Sequence, residues 1–337
     1  MKPVFLLKKK CINKWIEKGN ESRRKVMNEK TESIRKETAT VVSGKDNVIR
    51  KVLTAVLAGG HILLEDIPGV GKTTLALTMS KVLDLDFNRI QFTPDVVPSD
   101  ITGFTMYDKN TGKFTYREGA CNCNFFLADE INRTSSKTQS ALLEVMQESR
   151  ITIDGETHMM PQPFIVMATQ NPVGTAGTQM LPEAQLDRFM IKLSMGYPDF
   201  DAQVDILKAR EKSDPLNKVK SIVTKNQLLK MKEEVKEVYV DDKIYRYVTS
   251  LVEATRQNQY IRLGASPRAA IAMCQMGRAS AYIEGRDFVT PEDIQLIFKD
   301  VTRHRIILHP KAHIADETED TVLEKILESV KAPKTDK

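Results

Sequence analysis

Leu64-Glu65-Asp66-Ile67-Pro68-Gly69-Val70-Gly71-Lys72-Thr73-Thr74 decides how the rest of the chain is read. The apolar run Ile62-Leu63-Leu64 in front of it has strand character, and residues 72–83 behind it have helical spacing. The glycines therefore fall in a strand-to-helix turn. Glycine lets such a turn point its N–H groups inward, and those amides, with the helix N-terminus, make a cradle for phosphate oxygens. Lys72 is spaced to reach the β- and γ-phosphates of a nucleoside triphosphate, and the Thr73 hydroxyl to ligate magnesium. Asp66 occupies the place where the strict pattern has glycine, but the phosphate chemistry rests on Gly69, Gly71, Lys72 and Thr73.

Working outward, further short apolar runs lie at 89–92, 123–128, 164–169 and 190–193, with helical patterns between them, including 137–148. Short buried strands alternating with helices imply an α/β sandwich around a parallel sheet. A helix with Val48-Ile49, Val52-Leu53 and Val56-Leu57 at helical spacing precedes the first strand, and Gly59-Gly60 stops it. Two hairpins are expected, at 104–118 around Asn110-Thr111-Gly112 and at 150–160 with Asp154-Gly155 as the turn. After Tyr197-Pro198 strand signals fade and amphipathic helices follow. Ile244, Tyr247, Val248, Leu251, Val252 and Thr255 form one stripe. Ser266-Pro267 and Thr290-Pro291-Glu292-Asp293 read as helix starts with Ser or Thr as N-cap and Pro in the first turn. The expected division is a flexible basic extension at 1–30, an α/β nucleotide-binding core at 31–200, a helical lid at 201–330 and a tail at 331–337.

Charge is unevenly placed. Residues 1–30 hold ten Lys/Arg against three acids, whereas the remaining 307 residues hold 40 basic and 42 acidic side chains. The body is therefore not a basic surface for nucleic acid. The run Val4-Phe5-Leu6-Leu7 is too short for a signal or membrane segment, and no other run approaches the ~18–20 apolar residues that a span needs. Cys11, Cys121, Cys123 and Cys274 suit neither a disulfide framework nor a zinc site. Cys121 and Cys123, at the entry to an apolar strand, read as packing, and the whole pattern points to a reducing cytoplasm.

Three segments complete the candidate site. Phe125-Phe126-Leu127-Ala128 delivers Asp129 and Glu130 at a strand end, where open parallel sheets bind ligands. Asp129 would hold magnesium through water and Glu130 would polarise an attacking water. Ala168-Thr169-Gln170 ends in Asn171, a neutral amide suited to touch the γ-phosphate and that water without adding charge. Arg188, in Glu183-Ala184-Gln185-Leu186-Asp187-Arg188-Phe189, and Arg268, in Gly264-Ala265-Ser266-Pro267-Arg268, are cations that a neighbouring subunit or a lid can bring to phosphates. The catalytic candidates are thus Glu130, Asn171, Arg188 and Arg268. The binding candidates are Asp66, Ile67, Pro68, Gly69, Val70, Gly71, Lys72, Thr73, Thr74 and Asp129, with Thr73 and Asp129 toward magnesium.

The order of these segments resembles that of AAA+ proteins, and the detail resembles the MoxR family. The resemblance is carried by Arg89 to Asp95, Pro98 to Gly103, Leu127 to Arg133, Lys137 to Glu144, Ile151 to Glu156, Thr169 to Pro172, Leu181 to Phe189, Gly264 to Arg268, Glu284 to Asp293 and Arg303-His304-Arg305. It covers about residues 32–330. It implies an AAA+ αβα core with sheet order 5-1-4-3-2, a small helical lid, and ATP hydrolysis with magnesium. Asn171 would be sensor 1, Arg188 the arginine finger acting on a neighbour's ATP, and Arg268 sensor 2. It also implies a homo-oligomeric ring, usually a hexamer. Such rings remodel protein clients, often beside a von Willebrand factor A-domain protein, and here the hairpins would face the pore or a client. Two other readings compete with it. A nucleic-acid motor is opposed by the near-neutral body. A nucleotide-binding scaffold without turnover is opposed by the intact Lys72, Asp129, Glu130 and Arg188. The extension 1–30, Asp66 and the Cys121-Asn122-Cys123 entry depart from the family pattern.

Overall fold

Five short parallel strands build the central sheet: β1 (Ile62–Glu65), β2 (Phe87–Gln91), β3 (Phe125–Asp129), β4 (Ile165–Gln170) and β5 (Ile191–Leu193). Their spatial order is 2-3-4-1-5, which read from the other edge is the expected 5-1-4-3-2. The computed structural model describes residues 28–110, 112–171, 181–212 and 214–334. Most of the basic extension, Pro172 and the last three residues of the tail lie outside the described residues.

The three central strands read as continuous apolar runs because both of their faces are covered. Side chains alternate across the sheet. Ile62, Leu64, Phe125, Leu127, Ile165 and Met167 enter one core, while Leu63, Phe126, Ala128, Val166 and Ala168 enter the other. The first core is continuous with the C-terminal helices. It joins the helix over residues 28–39 (α1), α2 (Asp46–Ala58) and α3 (Lys72–Val82) to buried side chains of the lid. The second is closed by α4 (Ser136–Glu148) through Leu142, Leu143, Val145 and Met146. Helix α2 ends as its sequence demands, with Gly59 in the left-handed region at φ 80°.

Both expected hairpins form. Gly103–Asp108 pairs with Lys113–Glu118, and Arg150–Ile153 with Glu156–Met159. Their side chains meet where the Tyr116 and His158 rings stack, with centroids 3.9 Å apart. Cys121 and Cys123 are buried beside the second core, and burial pushes both thiols up to about 12, which keeps them protonated. They are packing groups, as their position at a strand entry indicated.

Beyond Tyr197 the chain is mainly helical, including α5 (Asp242–Gln257), α6 (Pro267–Ile283) and α7 (Pro291–Thr302). The six-residue stripe of α5 is buried throughout. Three local expectations change. The lid also contains a small antiparallel ribbon, Ile261–Leu263 with Ile307–Leu308, whose strands are too short to show periodicity. Ser266 stands at the N-cap of α6, but its hydroxyl makes no cap and instead donates to the Asp187 carboxylate at 3.2 Å. At α7 only half of the device forms: the Asp293 carboxylate accepts the Thr290 N–H at 2.9 Å and its hydroxyl at 3.2 Å, while that hydroxyl caps no helix N–H. No helix among the described residues is long and apolar enough to cross a membrane.

Candidate nucleotide site

The loop between β1 and α3 turns on Gly69 and Gly71, whose φ values of 84° and 95° are those that side chains resist. It separates two clefts that share Gly69, Gly71 and Thr74. One, of about 290 Å³, runs between Val41, Val42 and Tyr197-Pro198, with Ile206 and Arg210 on its far wall. The other, of about 340 Å³, is polar and gathers Lys72, Thr73, Asp129, Glu130 and Asn171. A half-apolar slot beside a cationic cradle is the shape that a base joined to a polyphosphate requires.

Lys72 is buried and donates to the Asp66 carbonyl at 2.6 Å and to Asn171 Oδ1 at 3.3 Å. Burial draws its pKa below the ordinary lysine value, against the pull of Asp66, Asp129 and Glu130. Asp129 is fixed by register. Strand β3 pairs with β4 up to Ala128 opposite Ala168, so the next residue on each strand, Asp129 and Thr169, meet at the sheet end. The Thr169 hydroxyl donates to Asp129 Oδ1 at 2.5 Å and accepts the Glu130 N–H at 2.8 Å. Asp129 Oδ2 faces the Thr73 hydroxyl at 3.4 Å. It also accepts two bonds from Arg89, at 2.7 and 3.1 Å.

Glu130 adopts a left-handed backbone, φ 58° and ψ 48°, which costs a non-glycine residue energy and is held by its neighbours. Its carbonyl accepts the Arg133 N–H at 2.9 Å. Its carboxylate accepts from Asn171 Nδ2 at 2.9 Å and from Arg133 Nη1 at 2.8 Å. The two strand-end groups expected to act on water are therefore already in contact.

Asp66 explains its own departure from the glycine pattern. Its side chain turns toward the segment after β5, where Oδ2 accepts the N–H groups of Met195 and Gly196, each at 2.6 Å, and the Ser194 hydroxyl at 3.0 Å. Burial works to raise its pKa, but these donors, Gly196 foremost, hold it below the ordinary carboxylate value. Within the loop, Asp66 offers its carbonyl to Lys72, while its carboxylate acts as a brace.

The two arginines lie elsewhere. Arg188 follows the turn Glu183–Leu186, donates to the Leu143 carbonyl at 2.6 Å, and lines a separate cleft with Ser140, Glu144, Gln147, Glu148, Arg150 and Thr152. Arg268 meets Asp187 at 3.4 Å. Neither lines the polar cleft or the half-apolar slot of its own chain. Behind them, buried Arg305 bonds to Asp187 Oδ1 at 2.8 Å and to the Phe189 carbonyl at 2.6 Å, tying the lid to the approach to β5.

A family model described as "ATPase family associated with various cellular activities (AAA)" matches residues 61–191, and an AAA lid-domain model matches residues 253–326. Chaperone MoxR1 of Mycobacterium tuberculosis is 40% identical over 307 residues, covering 88% of this chain and 81% of that protein. The chain belongs to the MoxR family of AAA+ ATPases. It is also 46% identical over 293 residues to protein YeaC of Bacillus subtilis, covering 87% of this chain and 92% of that one. A crystal structure of a protein described as an ATPase from Cytophaga hutchinsonii superposes with a TM-score of 0.86 at 39% identity, covering 94% of this chain and 99% of its own.

A MoxR-family ATPase binds nucleotide and hydrolyses ATP, and the residues here fit the magnesium that usually accompanies it. The Thr73 hydroxyl and the Asp129 carboxylate are hard oxygen donors converging beside the phosphate cradle. When bound, that ion neutralises charge on the phosphates. Sequence reading missed the half-apolar slot, because Val42 and Ile206 look like ordinary apolar residues until the fold brings them together. It also missed Thr169, Arg89 and Arg133, whose roles depend on strand register and rotamer.

Proposed function

We propose that this MoxR-family protein binds ATP with magnesium across the two clefts and hydrolyses it to drive a ring-shaped, chaperone-like remodeler of protein clients. The core is residues 31–200 and the lid 201–330. Lys72 and the Gly69–Gly71 backbone grip the β- and γ-phosphates, with Ile67, Pro68, Val70 and Thr74 completing the loop. Glu130 takes a proton from the attacking water while Asn171 orients it, and that proton leaves on the carboxylate. Arg188 and Arg268 belong to the neighbouring copy's site, where their charge meets the γ-phosphate oxygens as the bond to the leaving ADP breaks. The observation that carries this reading is the Lys72–Asn171–Glu130 chain of contacts at the sheet end, complete within one chain while both arginines lie outside it.

The need for a neighbour to supply Arg188 supports an assembly of copies, and a hexameric ring is the proposed form. The hairpins suit a pore or client face, since Phe104, Met106, Tyr107 and Phe114 are all exposed on the first one. A von Willebrand factor A-domain protein is the proposed partner and the cytoplasm the proposed compartment. The near-neutral charge of the body supports a protein client over nucleic acid.

The test is Glu130→Gln. Magnesium-ATP affinity should stay within a few fold of wild type while turnover falls by ~10² or more, the loss expected when a general base is removed. Turnover at the wild-type rate would take the role from Glu130, and absence of ATP binding by the wild-type chain would end the proposal.

A further inference from the structure

We propose that Arg89 is an exchangeable counter-ion that occupies Asp129 until magnesium arrives, and so sets how much free magnesium the site requires. This rests on the reading of the site as a magnesium-nucleotide site.

Asp129 is almost fully buried at the end of a strand, with Glu130 next to it. A buried carboxylate needs donors or a counter-charge. Its two oxygens are treated differently. Oδ1 is taken by the Thr169 hydroxyl at 2.5 Å, a short bond between two buried groups. Oδ2 is the oxygen that faces the Thr73 hydroxyl, and it is the one that Arg89 grips, with Nε at 3.1 Å and Nη2 at 2.7 Å. The arginine and a metal held between Thr73 and Asp129 thus seek the same atom.

Arg89 is built to leave. It sits on β2, one of the two edge strands of the sheet, and its side chain is 43% exposed while that of Asp129 is 9% exposed. Its other bond is to Gln91 Oε1, on the same face two residues along, at 2.8 Å. Released from Asp129, the guanidinium keeps that neighbour and still borders the phosphate cleft, which both Arg89 and Gln91 line. The exchange therefore responds to divalent cation and nucleotide.

The experiment measures equilibrium binding of a fluorescent ATP analogue to the full chain over a range of free magnesium, with no turnover required. Arg89→Gln should need ~3–10-fold less free magnesium for half of the magnesium-dependent gain in affinity, the scale of one ordinary net hydrogen bond, since the Arg89 side of the pair is exposed to solvent. Arg89→Lys, which keeps a cation beside Oδ2, should stay closer to wild type. In an Asp129→Asn background, Arg89→Gln should change nothing further, because no carboxylate remains to be freed. An unchanged or increased magnesium demand in Arg89→Gln, or an equal shift with and without the Asp129 carboxylate, would overturn the proposal. If Arg89→Gln unfolds, Arg89→Lys alone decides: a magnesium demand above wild type would contradict the exchange. A wild-type chain that binds no ATP analogue at any magnesium level would fail the nucleotide reading itself, a different result from a bound analogue with unaltered magnesium dependence.

Discussion

The phosphate cleft and the arginine face lie on the same protein and are built to different degrees of completion. At the cleft, Lys72, Thr73, Asp129, Glu130 and Asn171 touch one another or line one cavity, each positioned by a strand end or by the first turn of α3. On the other face, Arg188 and Arg268 satisfy themselves with local acceptors, the Leu143 carbonyl and the Asp187 carboxylate. A single chain therefore holds a nearly finished binding site and a set of cations with nothing of its own to act on. Under the proposed function, the contrast makes grip on the nucleotide and acceleration of its cleavage separable properties, the first assigned to one copy and the second to a pair.

The sharpest way to break that contrast is Arg188→Ala. Turnover should fall by on the order of 10³, within the range for a lost arginine finger, while ATP affinity of the dilute single chain stays unchanged. A matching loss of affinity, by equilibrium binding, would place Arg188 in its own chain's site.

The next effect concerns what joins the two regions. His61, just before β1, accepts the Val166 N–H on Nδ1 at 3.0 Å and donates from Nε2 to the Met146 carbonyl at 3.0 Å. That carbonyl lies on α4, the helix whose Leu143 carbonyl holds Arg188. Burial lowers the His61 pKa from 6.5 to about 4. The neutral ring is therefore favoured in the folded state and the unfolded chain takes the proton first. The His61 contribution to stability is complete above about 6.5, declines as pH falls, and is lost by about pH 4. Its size is on the order of 3 kcal/mol. Denaturant melts from pH 7 to 4 should show that loss reduced in His61→Gln. An identical pH slope in both would remove His61 as the cause.

The smallest effect is at Asp66. Asp66→Asn replaces an acceptor of three backbone N–H groups, those of Ile67, Met195 and Gly196, with an amide that offers one oxygen and no charge. The cost should be about 2 kcal/mol of stability, the range for hydrogen bonds to a charged group. Nucleotide affinity should weaken only as far as the loop loosens. If affinity collapsed while the melting temperature held, the carboxylate would belong to the ligand site, contrary to the bracing geometry.

Most of the sheet was legible because its strands are buried on both faces and read as unbroken apolar runs, and because the glycine turn names the strand and helix on either side of it. The candidate residues at strand ends were legible for the same reason: a carboxylate or amide ending such a run can only emerge at the sheet's edge. The half-apolar slot was hidden, since Val41-Val42, Tyr197 and Ile206 lie far apart in sequence and carry no chemistry alone. Ser266 was misread as a working cap because sequence cannot show that the Asp187 carboxylate competes for its hydroxyl. Arg89 was seen only as part of a motif, its attachment to Asp129 being set by pairing between β2 and β3.

The most direct measurement mixes two inactive proteins, Arg188→Ala and Glu130→Gln. The first retains every residue of the cleft and the second retains its arginines, so an interface with the Glu130→Gln copy donating to the Arg188→Ala copy is whole. Turnover should reappear in the mixture, peak near equal amounts and vanish in either protein alone. No recovery at any ratio, under conditions where the two proteins demonstrably co-assemble, would contradict a site completed by a neighbour.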